Sequence, residues 1–370
     1  MNRKLALFVF LILGIITAFF SIFFAVLMTE PGQLLNWPRT WIVTYYSYRW
    51  WFISFNLLLL VSLWWMHIRY RFLRSIWMYL ASIGVILCII VANFLLPAFF
   101  PSYQKNATYV SVSTANKLLK NDSIIYAVEI NGDTVGFPKK HLEIPHVVGA
   151  TVGGKEIVMT FCALSNLPVV YKQDIGYGES DLRILIQTHN NLLMVDKKSG
   201  ELVQQINGKL EYSGKRLPAI PNDMMKWSTF KKRYPNARVF LYPFVRPLDN
   251  LLLALFEGGM EQQFSHEHGP MFPTLSLKDK RLPNKEQVWG LTVGKESAAF
   301  SRAFLAKHPR YTFSLGDKKL VVTYEKSTDI AKAFTLNDQG KLKALPLYNG
   351  VFWMVWAHWF PETKVFKANK

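Results

Sequence analysis

The first hundred residues constrain the fold most, because they hold three long apolar runs separated by short polar segments. The runs span Leu5 to Met28, about Trp51 to Met66 and about Ile76 to Phe99. The first run is too long for a signal-peptide core and lacks a clear small-residue cleavage site. Each run can cross a bilayer as a tilted helix with interfacial tryptophans. The sequence therefore predicts a three-span membrane anchor over residues 1–100, with the second span the shortest.

The charges beside these runs predict a topology. Arg3 and Lys4 precede the first run, and three arginines lie at positions 69–74 between the second and third runs. The positive-inside rule assigns both groups to the cytoplasm, which makes the chain a multi-pass protein of the cell (inner) membrane with residues 101–370 outside the cytoplasm. No Asp, Glu, Lys or Arg lies inside the three runs. A transporter or proton path would need such a residue, so the pattern favours a plain anchor.

Composition narrows the function of the polar part. Residues 1–100 hold seven of the 43 basic residues and one of the 25 acidic residues, which leaves residues 101–370 with a net charge of +12. Because there is no basic helix and no recognisable base-reading module, this charge favours a lysine-rich solvated surface over nucleic-acid binding. The two cysteines, Cys88 in the third apolar run and Cys162 far beyond it, cannot form a disulfide framework.

After the anchor, short apolar runs alternate with turn signals, a pattern typical of a β-meander. The Gly153-Gly154 pair predicts a tight hairpin whose second strand ends at Cys162. A short helix, capped by Asn222 or Asp223, is expected to end before Tyr234-Pro235 because proline cannot continue it.

Two segments of this β-rich part have the same residue order. VGGKEIVMTF at 152–161 aligns with LGDKKLVVTY at 315–324, and each copy closes with a tryptophan followed by an aromatic-Pro sequence. The pattern predicts an α+β fold in which the anchor is followed by a β-rich domain of two internally related lobes. The predicted boundaries are 122–243 for the first lobe, 244–286 for a connector and 287–367 for the second lobe.

The two copies differ at one chemically important position, because Glu325 occupies the place of Cys162. A duplicated scaffold needs its core residues twice but its site only once. Positions that differ between the copies are therefore the better candidates for a functional site.

These segments also resemble one protein family. VEINGDTVGFPKKHL, HVVGATVGGKEIVMTFCALS and THNNLLMVDKKSGELVQQINGK are similar to the bacterial and archaeal family catalogued as domain of unknown function 3179, and the resemblance covers nearly all of residues 122–367. In that family the strand that ends in cysteine is usually followed by a second cysteine, sometimes selenocysteine. The resemblance implies thiol redox chemistry or soft-metal binding. Cys162 matches the first cysteine, but Ser165 stands where the second belongs, so a two-thiol mechanism cannot operate within this chain.

Other positions match the family in part. The matching residues are His146, His189, Asn191, Asp196, Gln205 and Gly208. The departures are Ala150 and Thr188, which replace aspartates, and Val203, which replaces a tryptophan. Several site-like positions are therefore eroded.

These residues leave three functions open. In the first, Cys162 is a reactive thiolate tuned by His189 or His146, with Asp196 in the same site, and it exchanges with a small-molecule or protein thiol. In the second, Cys162 is buried and inert, and the domain is a non-enzymatic envelope module that binds a partner or an anionic polymer. In the third, Cys162, His146 and His189 bind one Cu or Zn ion.

Three weaker motifs point to ordinary structure. His266 and His268 in the connector fit a solvated loop better than a metal site. Ser165, His189 and Asp196 have the residue types of a catalytic triad, but no nucleophile-elbow sequence surrounds the serine. The aromatic run 352–360 favours core packing over a ligand-binding face.

Overall fold

The structure, a computed structural model, describes residues 2–174, 178–255, 269–270, 272–336 and 339–368. Contacts divide it into two compact units: residues 1–98 with 272–274, and residues 99–271 with 275–370. The predicted motif of His266 and His268 lies outside the described residues.

Within the described residues, three helices are long and apolar enough to cross a membrane. They are α1 (Arg3–Leu27), α2 (Arg39–Tyr70) and α3 (Ser75–Phe99), with a short 3-10 helix at Pro31–Leu35. This confirms the expectation of N-terminal apolar helices. A small core of Phe10, Leu63 and Met78 packs among them, and Asn56 Nδ2 donates a hydrogen bond of 2.7 Å to Ser21 Oγ.

The second helix corrects the sequence prediction, because it is the longest of these three instead of the shortest. It begins at Arg39, well before Trp51, where the second apolar run starts. Arg49 lies within the helix, where its guanidinium carbon is 3.8 Å from the Tyr46 ring centre and Nη1 donates to Tyr46 O at 2.6 Å. These contacts explain how the helix continues through a charged residue.

The second unit is rich in strands. Its N-terminal part contains β1 (Tyr109–Ser111), α4 (Val112–Ala115), β2 (Ile124–Ile130), β3 (Asp133–Pro138), a 3-10 helix (Lys139–Leu142), β4 (Val147–Val152), β5 (Lys155–Cys162), β6 (Leu167–Lys172), β7 (Leu182–Thr188), β8 (Asn191–Asp196), β9 (Leu202–Gln204), β10 (Ala219–Ile220), β11 (Asp223–Lys226), α5 (Trp227–Arg233) and β12 (Arg238–Phe240). Its C-terminal part contains α6 (Asp249–Leu255), β13 (Gln287–Val293), β14 (Glu296–Ser301), α7 (Arg302–Lys307), β15 (Arg310–Leu315), β16 (Lys318–Glu325), β17 (Ile330–Leu336), β18 (Leu342–Leu345), β19 (Tyr348–Phe352), α8 (Trp353–Trp359) and β20 (Lys364–Phe366).

In the described residues these strands form five sheets, a propeller-like set of blades. The strand orders are β1-β12-β3-β2-β11, β10-β6-β5-β4, β7-β8-β9, β19-β13-β14-β20 and β15-β16-β17-β18. The expectation of a β-rich domain after the apolar helices is confirmed. The predicted helix cap is wrong, because Asp223 begins β11 and Lys226 is the N-cap of α5.

Strand pairing is equivalent in the two halves of this unit. Val147 pairs with Thr160 between β4 and β5, and the residues 163 positions later, Arg310 and Thr323, pair between β15 and β16. The same shift relates the β2–β3 and β5–β6 pairings to those of β13–β14 and β16–β17. These registers support the interpretation of two related lobes, which stays a proposal. We refer to residues 122–243 and 287–367 as the first and second halves.

The two halves meet at two equivalent places. In one, β6 of the first half packs against β19 of the second; we name this the closed junction. In the other, β17 of the second half packs against β11 of the first; we name this the open junction. The helix α8 holds most of the predicted aromatic run and buries Trp353 and Trp356 completely, which supports core packing for residues 352–357, whereas residues 358–360 are half-buried.

Candidate functional site

Cys162 is the last residue of β5 and lies at one end of the closed junction. The residue is only 1% exposed. Its Sγ donates a weak hydrogen bond, 3.9 Å long, to the carbonyl oxygen of Asn190. In this contact the thiol is the donor and the carbonyl oxygen is the acceptor.

The turn above the thiol connects β7 to β8 and consists of His189 and Asn190. Both residues have positive φ, 48° and 52°, as a two-residue hairpin turn of this type requires. Glycine adopts this conformation most easily, and histidine and asparagine do so at some cost in backbone strain. Trp359 of α8 supports the turn, because its Nε1 donates to His189 O at 3.4 Å.

A network of buried amides lies beside the thiol. Asn191 Nδ2 donates to Gln205 Oε1 at 2.7 Å and to Ser165 Oγ at 3.3 Å. Its Oδ1 accepts from Gln204 Nε2 and from the backbone N–H of Ile206, both at 2.9 Å. Ser165 Oγ also donates to Cys162 O at 3.4 Å. Asn191 and Gln205, two of the positions that the resemblance singled out, thus lie together with Ser165, and these neutral side chains bond to one another.

His146 does not supply a cation to this site. It is buried, its ring stacks on Phe100 with centroids 4.8 Å apart, and Nδ1 donates to Leu142 O at 3.1 Å. Burial lowers the pKa of His146 to about 4, so the imidazole is neutral near pH 7. A neutral ring cannot stabilise a thiolate by charge.

His189 is half-buried and packs against α8 of the second half. Its ring centroid lies 4.6 Å from that of His358 and 5.6 Å from that of Trp359. Burial lowers the pKa of His358, whose Nδ1 accepts the backbone N–H of Ser276 at 2.9 Å. The neutral His358 ring must therefore carry its proton on Nε2, which leaves that nitrogen without a lone pair for a metal.

Asp196 lies at the far end of β8 from Asn191, about 16 Å away along an extended strand. Its carboxylate accepts hydrogen bonds from Asp181 N at 2.6 Å, Ser199 N at 3.0 Å and Ser199 Oγ at 2.5 Å. These bonds fix the turn after β8 and account for the burial of the charge. The structure therefore does not bring Asp196 together with Ser165 and His189 as a triad requires.

Metal binding by Cys162, His146 and His189 has no geometric support. Among the described residues, no group of three or more His, Cys, Asp or Glu side chains is arranged to hold a metal ion. His146 bonds toward Leu142 and His189 packs on α8, so the three predicted ligands do not converge.

The open junction contains a cleft of about 660 Å³. Its walls come from β2, β10, β11, β17 and β18 and from the adjoining ends of β5 and β6. The apolar floor includes Ile220, Phe334, Leu345 and Leu347, and small alanines at positions 331, 333 and 344 leave space between the walls. An apolar cleft with a few polar groups is the usual form of a ligand site.

The charges of this cleft are mainly positive. Lys332 Nζ forms an ion pair of 2.8 Å with Asp223. Among the described residues, no ion pair or hydrogen bond engages the ammonium groups of the other three lysines, Lys155, Lys172 and Lys343. Three unpaired ammonium groups around an apolar floor favour an anionic ligand with an apolar body.

Sequence reasoning missed this cleft because its residues are scattered from 127 to 347 and form no motif. The one available signal is the comparison of aligned positions. Ala331 and Ala333 of β17 align with Pro168 and Val170 of β6, so the second half has smaller residues there.

Comparison with known proteins gives one result. A family model described as protein of unknown function (DUF3179) matches residues 97–363. Searches of curated proteins and of solved structures returned no match.

Proposed function

We propose that this chain, which belongs to the DUF3179 family of proteins of unknown function, is a membrane-anchored, extracytoplasmic binding module for an anionic ligand. The observation that supports this most directly is the cleft of the open junction, with three unpaired lysines around an apolar floor. The positive-inside pattern of the anchor supports a cytoplasmic N-terminus and a second unit on the outer side of the cell membrane.

The sealed thiol supports the same proposal. Cys162 is buried, donates to a carbonyl, and has beside it a network in which Ser165, Asn191 and Gln205 bond to one another. A site built for thiol exchange needs an accessible sulfur, and Cys162 is only 1% exposed. We infer that this family site is vestigial in the present chain and that binding has moved to the open junction.

The test uses the full chain in neutral detergent with a pyrenetrisulfonate dye, a water-soluble aromatic trianion whose fluorescence anisotropy reports binding. We expect binding that weakens with salt, because the Debye length shortens from about 10 Å at 0.1 M to about 3 Å at 1 M. The variant K155E/K172E/K343E should raise the dissociation constant by at least about tenfold.

A matched control is K117E/K307E/K318E, which changes the net charge equally but alters exposed lysines outside this cleft. The control should change the dissociation constant by less than about twofold. Equal loss in both triple variants would mean that binding follows net charge alone, and absence of binding to the parent would refute the proposal.

A second candidate function is thiol chemistry at Cys162, and one observation supports it. The sulfur touches the His189-Asn190 turn, whose positive φ angles store strain. Displacement of that turn would uncover the thiol. Alkylation of Cys162 in the native protein is the measurement that decides between the two candidates.

A further inference from the structure

The open junction contains, besides its charge, two sheet edges. The strand β18 (Leu342–Leu345) is the last strand of its four-stranded sheet, and among the described residues it pairs only with β17. Residues 342–344 are exposed and Leu345 is half-buried. The edge of a sheet that faces no strand presents a row of backbone N–H and C=O groups that can pair with another chain.

The second edge belongs to β10 (Ala219–Ile220), which ends the sheet β10-β6-β5-β4. Both β10 and β18 line the same cleft, although they belong to different halves of the unit. A lipid headgroup or a small anion would use the lysines of this cleft but neither backbone edge. An extended polypeptide can use both kinds of contact.

We propose that the occupant of the open junction is an acidic polypeptide segment that binds in an extended conformation and pairs with the free edge of β18. This inference rests on the proposed function, since it names the class of anionic ligand. Alternate side chains of a strand point to opposite faces. Apolar residues of the segment would contact the floor around Phe334 and Leu347, and its carboxylates would face Lys155, Lys172 and Lys343.

Edge lysines also have an ordinary explanation, because natural sheets place lysine on edges to prevent aggregation. That explanation accounts for Lys343 on β18. It does not account for Lys155 and Lys172, which lie at the ends of β5 and β6 in another sheet and border the same cleft. Convergence of lysines from two sheets favours recognition of an acidic partner.

The experiment measures binding of labelled eight-residue peptides to the full-length protein in neutral detergent. The parent peptide alternates Glu and Val, and a control peptide alternates Lys and Val. Two further peptides carry N-methyl groups on the amides of all Glu residues or of all Val residues. In an extended strand one of these two sets faces β18 and the other faces away.

We expect the acidic parent to bind and the basic control not to bind. N-methylation of one set should weaken binding by at least about tenfold, and methylation of the other set should weaken it by much less. K343E should weaken binding of the parent peptide by about fivefold. K318E, a change on β16 outside the cleft, should leave this affinity unchanged.

Equal affinity of the parent and both methylated peptides would overturn strand pairing, while the cleft would remain an anion site. If pyrenetrisulfonate binds in a lysine-dependent way but no acidic peptide does, the polypeptide assignment is wrong and the proposed function stands. If neither probe binds, both proposals fail.

Discussion

The closed and open junctions are equivalent in strand pairing and differ in their side chains. Lys332 and Ala333 in β17 of the open junction align with two valines, at positions 169 and 170, in β6 of the closed junction. An inserted three-stranded sheet, β7-β8-β9, also contacts the closed junction, where Gln205, the residue after β9, donates from Nε2 to Leu167 O at 2.9 Å. The second half has no such insertion between β17 and β18, so its junction stays accessible.

The two strand ends show the same contrast. Cys162 is 1% exposed, whereas the side chain of Glu325, its aligned residue, is 55% exposed and lies 3.8 Å from Arg233 of α5. Glu325 borders a separate open cleft of about 510 Å³. Of these two aligned residues, the potentially reactive cysteine is therefore buried, and the accessible position holds a glutamate. Four measurements test this difference between the two halves.

We expect the largest loss of stability from a substitution of Asn191, whose side chain forms the centre of the buried amide network. The substitution Asn191→Ala leaves buried partners such as Gln204 Nε2, Gln205 Oε1 and Ile206 N without this acceptor or donor. Because each unsatisfied buried group costs about 1–3 kcal/mol, we expect the free energy of unfolding to fall by about 3–5 kcal/mol. Urea denaturation of the full chain measures this, and a loss below 1 kcal/mol would show that the network is not a structural unit.

The next effect concerns the reactivity of Cys162. Because the sulfur is sealed by the His189-Asn190 turn, alkylation by iodoacetamide must wait for local opening. We expect the native rate to be at least about 10³-fold slower than in the unfolded protein, as read by mass spectrometry of the peptide that contains Cys162. Fast labelling that increases with pH would restore the thiol hypothesis.

The pH dependence of stability should differ between the two halves at one aligned position, because the first half has the titratable His146 where the second half has Pro309. Burial lowers the pKa of His146 to about 4, from about 6.5 in the unfolded chain. Between pH 6.5 and pH 4 the unfolded chain therefore binds this proton and the folded protein does not. The contribution of His146 to the free energy of unfolding is fully present above pH 6.5. It decreases as pH falls toward 4, by about 3 kcal/mol at most.

The variant His146→Phe should remove this part of the pH dependence and keep the stacking on Phe100. His141, whose pKa burial also lowers to about 4, supplies a second loss of the same sign that the variant retains. The measurement is urea denaturation of both proteins at pH 7 and pH 4.5. An unchanged difference between the two pH values would show that His146 is not buried as described.

The smallest effect is expected at Glu325. Its ion pair with Arg233 is long, and both side chains are well exposed, at 55% and 40%. Glu325→Ala should therefore change the free energy of unfolding by no more than about 0.5 kcal/mol. A larger loss in urea denaturation would mean that the two strand ends are equally structural.

Much of the fold could be predicted from local sequence. The strand Ile124–Ile130 follows from a short apolar run bounded by turn residues, and the turn at Gly153-Gly154 follows from turn chemistry; both signals act over a few residues. The start of α2 at Arg39 could not be predicted in this way, because hydropathy marks the apolar run and not the helix that continues beyond it. The residues after Pro221 form β11 instead of a helix cap because Asp223 pairs with Ala127, nearly a hundred residues earlier.

The candidate site was less predictable, since it depends on long-range packing. The sequence, through the family resemblance, predicts one site for Cys162, His146, His189 and Asp196. It could not show that Asn190, 28 residues away, seals the sulfur. The lysines of the open junction carry no local signal at all, because an exposed lysine looks the same in sequence whether or not a cleft lies beside it.

Two single variants separate binding at the open junction, as proposed above, from binding at the thiol. Ala344→Trp adds a large side chain at an exposed position of the cleft wall, and Cys162→Ala removes the sulfur. Titration of the full chain with pyrenetrisulfonate should show affinity at least about tenfold weaker for Ala344→Trp and within about twofold of the parent for Cys162→Ala. Loss of binding in Cys162→Ala, with Ala344→Trp unaffected, would show that the ligand binds at the thiol and not in the open junction.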